Sequence, residues 1–229
     1  MYVLFVLPYR VTIVQKDAYC IGDRSIFEEH VNSITHAIGA IFLLIGSLYL
    51  LSIANNLAQT LSIVAYGSTA TLTMLCSTIF HGTTNNSTRR KFWWTLDQAS
   101  IYLMISGTYT PVLIMGINDP LQNLSLWLLW CGALALAIWK INFLNVTALI
   151  SVVSYLSLGW GGLFIIGPQL MELPKEFIYL FIGGGSVITL GLFFWMNDHR
   201  NYFHTIWHIL VLAGVALHYH AISSYIICP

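Results

Sequence analysis

Seven long apolar stretches, joined by short polar connectors, constrain this chain more than any other feature of its sequence. A helix that crosses a lipid bilayer needs roughly 20 consecutive, mostly apolar residues. The stretches that meet this requirement lie at residues 33–54, 61–80, 96–117, 121–139, 143–166, 177–196 and 203–227. The sequence therefore predicts an all-α fold, a polytopic membrane protein built as a bundle of seven transmembrane helices.

Composition agrees with this fold and narrows the possible partners. Only 8% of the residues are charged, whereas a soluble globular domain carries roughly 25%. Nine basic and nine acidic residues leave no net charge, so the chain has no basic surface of the kind that binds nucleic acid. We therefore expect membrane lipids as partners and no nucleic acid; the oligomeric state stays open.

The apolar stretches also define the domain organisation. Residues 26–229 form one seven-transmembrane domain, and residues 1–25 precede it as a tail. The apolar opening of this tail, residues 1–7, is too short to span a bilayer and lacks the basic segment of a signal peptide. The four cysteines show no C-x-x-C spacing, so we expect them to pack rather than to form disulfides or a metal site.

Orientation follows from the basic residues in the connectors. Eight of the nine Lys and Arg residues fall in the tail and in the connectors after spans two, four and six, and only Lys175 falls on the other side. Loops rich in Lys and Arg stay in the cytoplasm. The sequence predicts a cytoplasmic amino end and a carboxy end outside.

Polar residues at the ends of three spans suggest a metal site. Ser77 and His81 lie four residues apart at the end of span two, His204 and His208 have the same spacing at the start of span seven, and Asp97 begins span three. Residues four apart share one face of a helix, and the predicted topology puts all five at one depth. Three imidazoles and a carboxylate suit Zn²⁺, which in catalytic sites keeps one position for water.

Each of these residues also has a simpler interpretation. A metal-free polar network would explain the set as a whole. Asp97 would then cap the third helix, where an acid is favoured by its dipole, and Ser77 would bond back to a carbonyl one turn earlier. Asp198 and His199, just ahead of span seven, fit a solvated loop better than a ligand pair.

The remaining histidines within spans are expected to differ in their depth. His36, in the first turn of span one, lies at a level similar to the candidate ligands, whereas His218 and His220 fall near the far side of span seven. A single histidine within the membrane is more often a hydrogen-bonded packing group than a ligand. His36 as a fourth ligand would indicate a closed structural site, and an open fourth position would indicate an enzyme.

Several motifs resemble those of a known family. The chain is similar to the haemolysin III-like membrane proteins of bacteria, within the progestin and adipoQ receptor family and a superfamily that includes alkaline ceramidases. The resemblance runs from about residue 28 to the carboxy end, and the first 25 residues do not share it. The motifs are EEHVNSITH at residues 28–36, STIFH at 77–81, Asp97, GTYTP at 107–111, Gly159-Trp160 and HTIWH at 204–208.

The resemblance implies a function for the polar residues. It implies zinc bound by His81, His204 and His208, with Asp97 and Ser77 as catalytic residues next to the water that the metal activates. It also implies a hydrolase-like protein of the bacterial cytoplasmic (inner) membrane that acts on a lipid amide or ester and contributes to membrane homeostasis. The alternative is a non-enzymatic, zinc-stabilised regulator or receptor-like protein. Pore formation, suggested by the family name, is disfavoured because the spans carry too few polar residues to line a channel.

Overall fold

The computed structural model describes residues 24–85, 87–117, 120–143 and 147–228. The predicted tail therefore lies outside the described residues except at positions 24 and 25, and residues 118 and 119 of the third predicted connector lie outside them as well. Within the described ranges the helices are α1 (Ile26–Ser52), α2 (Leu57–Gly82), α3 (Ser87–Pro111), α4 (Gln122–Asn142), α5 (Ala148–Leu170), α6 (Lys175–Met196) and α7 (Phe203–Ile222).

All seven helices are long and apolar enough to cross a membrane, which confirms the predicted all-α, seven-helix fold. Four of them begin earlier than predicted, and two of these begin seven or more residues earlier. The first starts at Ile26 instead of residue 33, and the third starts at Ser87 instead of residue 96. The difference arises because hydropathy detects only the apolar middle of a helix and misses its polar first turns. Ser25 caps α1, its hydroxyl accepting a bond of 3.1 Å from the backbone N–H of Glu28.

The helices pack with their chain neighbours, and α7 returns to contact α1. The third helix is the most enclosed and contacts α2, α4 and α5. Large apolar side chains on the outer face of α1, such as Ile34, Ile38, Ile41 and Ile45, are exposed. Polar side chains of the same helix, such as Asn32, are buried. A helix whose apolar side chains face outward while its polar side chains are kept inside the bundle suits contact with lipid.

The third helix changes its form at the proline that the sequence singled out. Pro111 ends the α-helical part of α3, and a π-helical turn, Val112–Gly116, follows directly. Proline has no N–H to donate, so the regular ladder of bonds is interrupted there. One turn earlier, Gly107 lies so close to Thr69 of α2 that any side chain would collide with it. Gly107 therefore allows α2 and α3 to approach closely.

The apolar core has two parts, and one of them supports the polar residues of interest. The first part lies mainly among α3, α4, α5 and α6. The second, which includes Leu43, Tyr66, Met74 and Val211, joins α1, α2 and α7. The end of α2 and the start of α7 lie at one end of this second part. The candidate ligands of both helices are thereby held together.

Candidate metal centre

Three imidazoles from two helices converge as the sequence predicted. His81 lies in the last turn of α2, and His204 and His208 lie in the first turns of α7. All three are buried, and one ring nitrogen of each lies within 4.8 Å of the other two. The Nε2 atoms of His81 and His204 are 3.2 Å apart. This group could hold a metal ion.

Oxygen atoms on the outer side of the group orient two of the three rings. Nδ1 of His81 is 2.9 Å from a carboxylate oxygen of Glu29, and Nδ1 of His208 is 3.1 Å from the backbone carbonyl of Asn32. Each nitrogen donates its proton to that acceptor, because neither acceptor has a proton to give. A neutral imidazole that donates from Nδ1 carries a lone pair on Nε2. Metal-binding histidines in proteins show this pattern almost always.

The donor set fits a cation. His81 Nε2 and His204 Nε2 face each other at 3.2 Å. The two are joined by a hydrogen bond when Nε2 of His204 carries the proton, and they offer two lone pairs to a cation when that proton is on Nδ1, towards Asp198. Zinc binds imidazole nitrogens at about 2.0–2.1 Å, which in a tetrahedral site puts two such nitrogens about 3.3–3.4 Å apart. The observed distance is close to that value.

Glu29 is the centre of a buried charged network. Its side chain is fully buried, and its two oxygens accept bonds of 2.7 Å from Arg24 and 2.6 Å from Arg90 in addition to the contact with His81. A buried carboxylate is stable only when its charge is paired and its oxygens are bonded. The two guanidinium groups meet this requirement. Glu29 is thus held as an anion behind His81.

Arg90 also connects the network to the end of α2. One of its terminal nitrogens donates to the backbone carbonyls of Phe80 and Thr83, at 3.1 and 3.0 Å. Carbonyls in the last turn of a helix have no partner within the helix. Arg90 satisfies two of them on either side of His81. The backbone that carries this histidine is therefore fixed by the start of α3.

The turn before α7 is held by the start of α1. Asp198 accepts a bond of 2.9 Å from Arg24, and its carboxylate lies 3.5 Å from Nδ1 of His204. Burial opposes its ionisation, but His204 and Arg24 outweigh this effect and hold the pKa of Asp198 below its usual value. His199 is exposed. His199 therefore fits the solvated-loop interpretation, and Asp198, whose side chain is partly exposed and bonds to Arg24, does not belong to the group of ligand atoms found among the described residues either.

Ser77 and Asp97 lie beside the histidines. Both line a cavity of about 60 Å³, which His204 and His208 also line, and the Ser77 and Asp97 side chains interact with each other. Within the part of the chain that the structure describes, Asp97 does not join the group of ligand atoms. The expectation that its carboxylate would meet the three imidazoles around one ion is therefore corrected. The cavity has room for more than one water molecule.

A second cavity, of about 130 Å³, lies next to the first. Its lining is almost entirely apolar and comes from α2, α3, α5, α6 and α7. The two cavities share wall residues, so they are adjacent. The shared residues are Ile101, Met104, Tyr155, Ile188 and Trp207.

The other histidines within spans have separate places. His36 stacks on His208, with ring centroids 3.7 Å apart. His218 lines the apolar cavity and lies 3.0 Å from the carbonyl of Phe181. His220 is exposed. The prediction that His218 and His220 lie away from the candidate ligands agrees with these positions.

Sequence reasoning missed the residues behind the histidines. Glu29 and Asn32 were assigned to the segment ahead of the first span, and Arg90 to a connector, yet all three are buried. One local signal for the first two was available. Ser25 followed three residues later by Glu28 is a helix-start pattern, and it would have extended α1 to include them. Nothing local in the sequence pairs Arg90 with Glu29.

Comparison with known proteins agrees with the motifs. The family model described as haemolysin-III related matches residues 24–219. The chain belongs to the haemolysin III family. Hemolysin-3 of Bacillus cereus is 32% identical over 203 residues, which cover 87% of this chain and 92% of the relative. The Hemolysin-3 homolog of Bacillus subtilis (strain 168) is 30% identical over 204 residues, covering 88% and 95%.

A human protein of the wider group is also similar to this haemolysin III protein. Monocyte to macrophage differentiation factor of Homo sapiens is 25% identical over 210 residues, which cover 87% of this chain and 85% of the relative. The similarity to all three relatives extends over most of the seven-helix domain. None of their names specifies a reaction.

Proposed function

We propose that this haemolysin III protein is a zinc-dependent membrane hydrolase that cleaves a lipid amide or ester. One observation carries the proposal: two of the three grouped imidazoles, those of His204 and His208, line a cavity together with Ser77 and Asp97, and that cavity adjoins an apolar one. The grouped imidazoles suit a metal that catalyses hydrolysis, and the apolar cavity suits a hydrocarbon chain. A purely structural metal would need neither cavity.

The protein residues supply binding, orientation and proton transfer. Zn²⁺ held by His81, His204 and His208 would polarise a carbonyl and lower the pKa of a bound water to about 7. Asp97 is the general base that accepts the proton of the attacking water. Ser77 donates a hydrogen bond to the oxygen that becomes negative as the carbonyl is attacked. Both side chains line the same cavity as His204 and His208, within reach of one substrate carbonyl.

The apolar cavity provides the lipid specificity in this proposal. Its walls are apolar and aromatic side chains, including Leu163 and Phe181, and burial of a hydrocarbon chain there is favourable by about 0.8 kcal/mol per CH₂ group. A chain bound along it directs its polar end towards Ser77 and Asp97. The protein would act in the bacterial cytoplasmic membrane, with its amino end in the cytoplasm, and contribute to membrane homeostasis.

A second candidate function rests on a different observation. The three histidines and their partners connect α1, α2, α3 and α7 through buried bonds at one end of the bundle. A metal in this position would fasten these helices together. The protein would then be a zinc-stabilised regulator or receptor-like protein without catalytic activity. This alternative predicts a protein that binds the metal but does not hydrolyse lipid.

The experiment that tests the proposal has two measurements on one preparation. The full-length protein is purified in detergent and its metal content is measured by mass spectrometry. The same sample is incubated with a bacterial lipid extract, and the products are identified by lipid mass spectrometry. We expect about one zinc ion per chain and release of a fatty acid. Bound zinc without any new product would favour the regulator.

A further inference from the structure

His36 has an environment unlike that of the three candidate ligands. It lies in α1, is only 5% exposed, and packs face to face on the ring of His208, with centroids 3.7 Å apart and planes inclined by 12°. Neither of its ring nitrogens has a hydrogen-bond partner among the described residues. Buried polar atoms in proteins are nearly always bonded. Two unbonded nitrogens on one buried ring therefore indicate a binding function.

The stacked geometry excludes His36 from the metal group. A metal ion lies close to the plane of each imidazole that binds it, about 2.0–2.1 Å from the nitrogen. The planes of His36 and His208 are nearly parallel and separated, so their nitrogens do not point at one ion. The group of ligand atoms found in the described chain contains His208 and not His36. The sequence left open whether His36 is a fourth metal ligand, and this geometry indicates that it is not.

His36 lies next to the smaller cavity instead. It lines this cavity together with Ser77 and Asp97. The walls shared with the apolar cavity, such as Met104 and Trp207, bring a lipid tail to this point. A lipid with its tail in the apolar cavity has its polar end among these three side chains.

We propose that His36 is a substrate-binding residue whose ring N–H donates a hydrogen bond to the polar end of the lipid, next to the carbonyl that is attacked. This inference rests on the proposed hydrolase function and assigns a residue that recognises the substrate. Stacking on His208 restricts the rotation of the ring. A fixed donor adds affinity because little freedom is lost on binding.

The test uses two probes that cannot be hydrolysed, 2-hexadecanone and hexadecane. They share a chain length, and only the ketone accepts a hydrogen bond. Their affinities for the zinc-loaded, full-length protein are measured by competition with a fluorescent fatty-acyl probe. His36→Phe keeps an aromatic ring for stacking but removes both nitrogens, and His36→Gln keeps a donor. His220→Phe is the matched control, because His220 is exposed.

We expect His36→Phe to weaken ketone binding about tenfold, the loss of one hydrogen bond to a buried partner, and to leave hexadecane binding unchanged. His36→Gln should recover most of the ketone affinity, and the control should match the wild type. Equal losses for both probes, or no loss for the ketone, would overturn the assignment. If the phenylalanine variant does not retain zinc, His36→Met provides the same comparison.

The outcomes separate this inference from the hydrolase proposal. A wild-type protein that releases no product from lipid extract, but prefers the ketone through His36, refutes hydrolysis and supports the binding residue. A protein that hydrolyses lipid, but binds the ketone equally well with and without the His36 nitrogens, refutes the binding residue alone. Measured zinc content in every variant excludes loss of the metal as the cause.

Discussion

The Glu29 carboxylate accepts a hydrogen bond from Nδ1 of His81 at 2.9 Å, and both side chains are completely buried. This contact connects the first turn of α1 to the last turn of α2. It also fixes which nitrogen of His81 carries the proton, so that Nε2 is left for a metal. A residue that is not itself a candidate ligand thus orients one of the candidate ligands.

The first prediction concerns the strength of metal binding. Glu29→Gln keeps the size of the side chain but removes the negative charge that polarises His81. Loss of such a partner typically lowers metal affinity by about 10–100-fold. Competition with a coloured zinc chelator measures the change. Glu176→Gln, at an exposed position in α6, should bind zinc like the wild type, and an unchanged affinity in Glu29→Gln would contradict the role assigned to Glu29.

A second prediction concerns stability. Arg90→Met removes the bond to Glu29 and the two bonds to the carbonyls of Phe80 and Thr83. Removing one partner of a buried ion pair typically destabilises a protein by about 3–5 kcal/mol. The free energy of unfolding should therefore fall by roughly that amount. Thermal unfolding in detergent measures it. Lys175→Met, at an exposed site, serves as the control, and equal melting temperatures for the two variants would refute the prediction.

A third prediction concerns the ligands themselves. Replacing His81, His204 or His208 by Ala removes one of three converging nitrogens, so zinc content should fall strongly in each variant. Asp97→Ala should retain more zinc, because Asp97 does not join the group of ligand atoms. Elemental analysis of purified protein checks both statements. A triple His→Ala protein with one zinc per chain would show that the metal binds elsewhere.

The fold and the grouping of the three histidines were predictable from the sequence for simple physical reasons. Hydropathy alone indicates seven spans, because each must be apolar along most of its length. The spacing of four residues between His204 and His208 puts them on one helix face, and His81 was expected at the same depth from the charge bias of the connectors. Local periodicity and one topological rule were sufficient for these conclusions.

The network behind the ligands was not predictable in the same way. Arg90 and Glu29 are 61 residues apart, and no local pattern relates a basic residue in one connector to an acid ahead of another span. Their pairing depends on how α1, α2 and α3 pack. The unbonded nitrogens of His36 depend on the same packing. Polar residues near the ends of apolar spans therefore need a structure before their partners can be named.

A fourth prediction concerns topology, which rests on the eight-to-one distribution of basic residues. A membrane-impermeant maleimide should label Cys228, which is exposed near the carboxy end, in intact spheroplasts of a strain that expresses a variant without the other three cysteines. A cysteine introduced at Thr84, in the turn between α2 and α3, should react only after permeabilisation. Labelling of both sites from the same side would contradict seven crossings with a cytoplasmic amino end.

The last prediction separates catalysis from a structural metal. Asp97→Asn keeps the size and much of the hydrogen bonding of the side chain but cannot accept a proton. If Asp97 is the general base, lipid turnover should fall by about 10²–10⁴-fold, while zinc content and melting temperature stay close to the wild type, because the carboxylate is not among the ligand atoms. If the metal only fastens helices, Asp97→Asn should complement a deletion strain fully, whereas His208→Ala should release the metal and lower the melting temperature. Product formation, zinc content and thermal unfolding measured on the same two variants distinguish the hydrolase from the regulator.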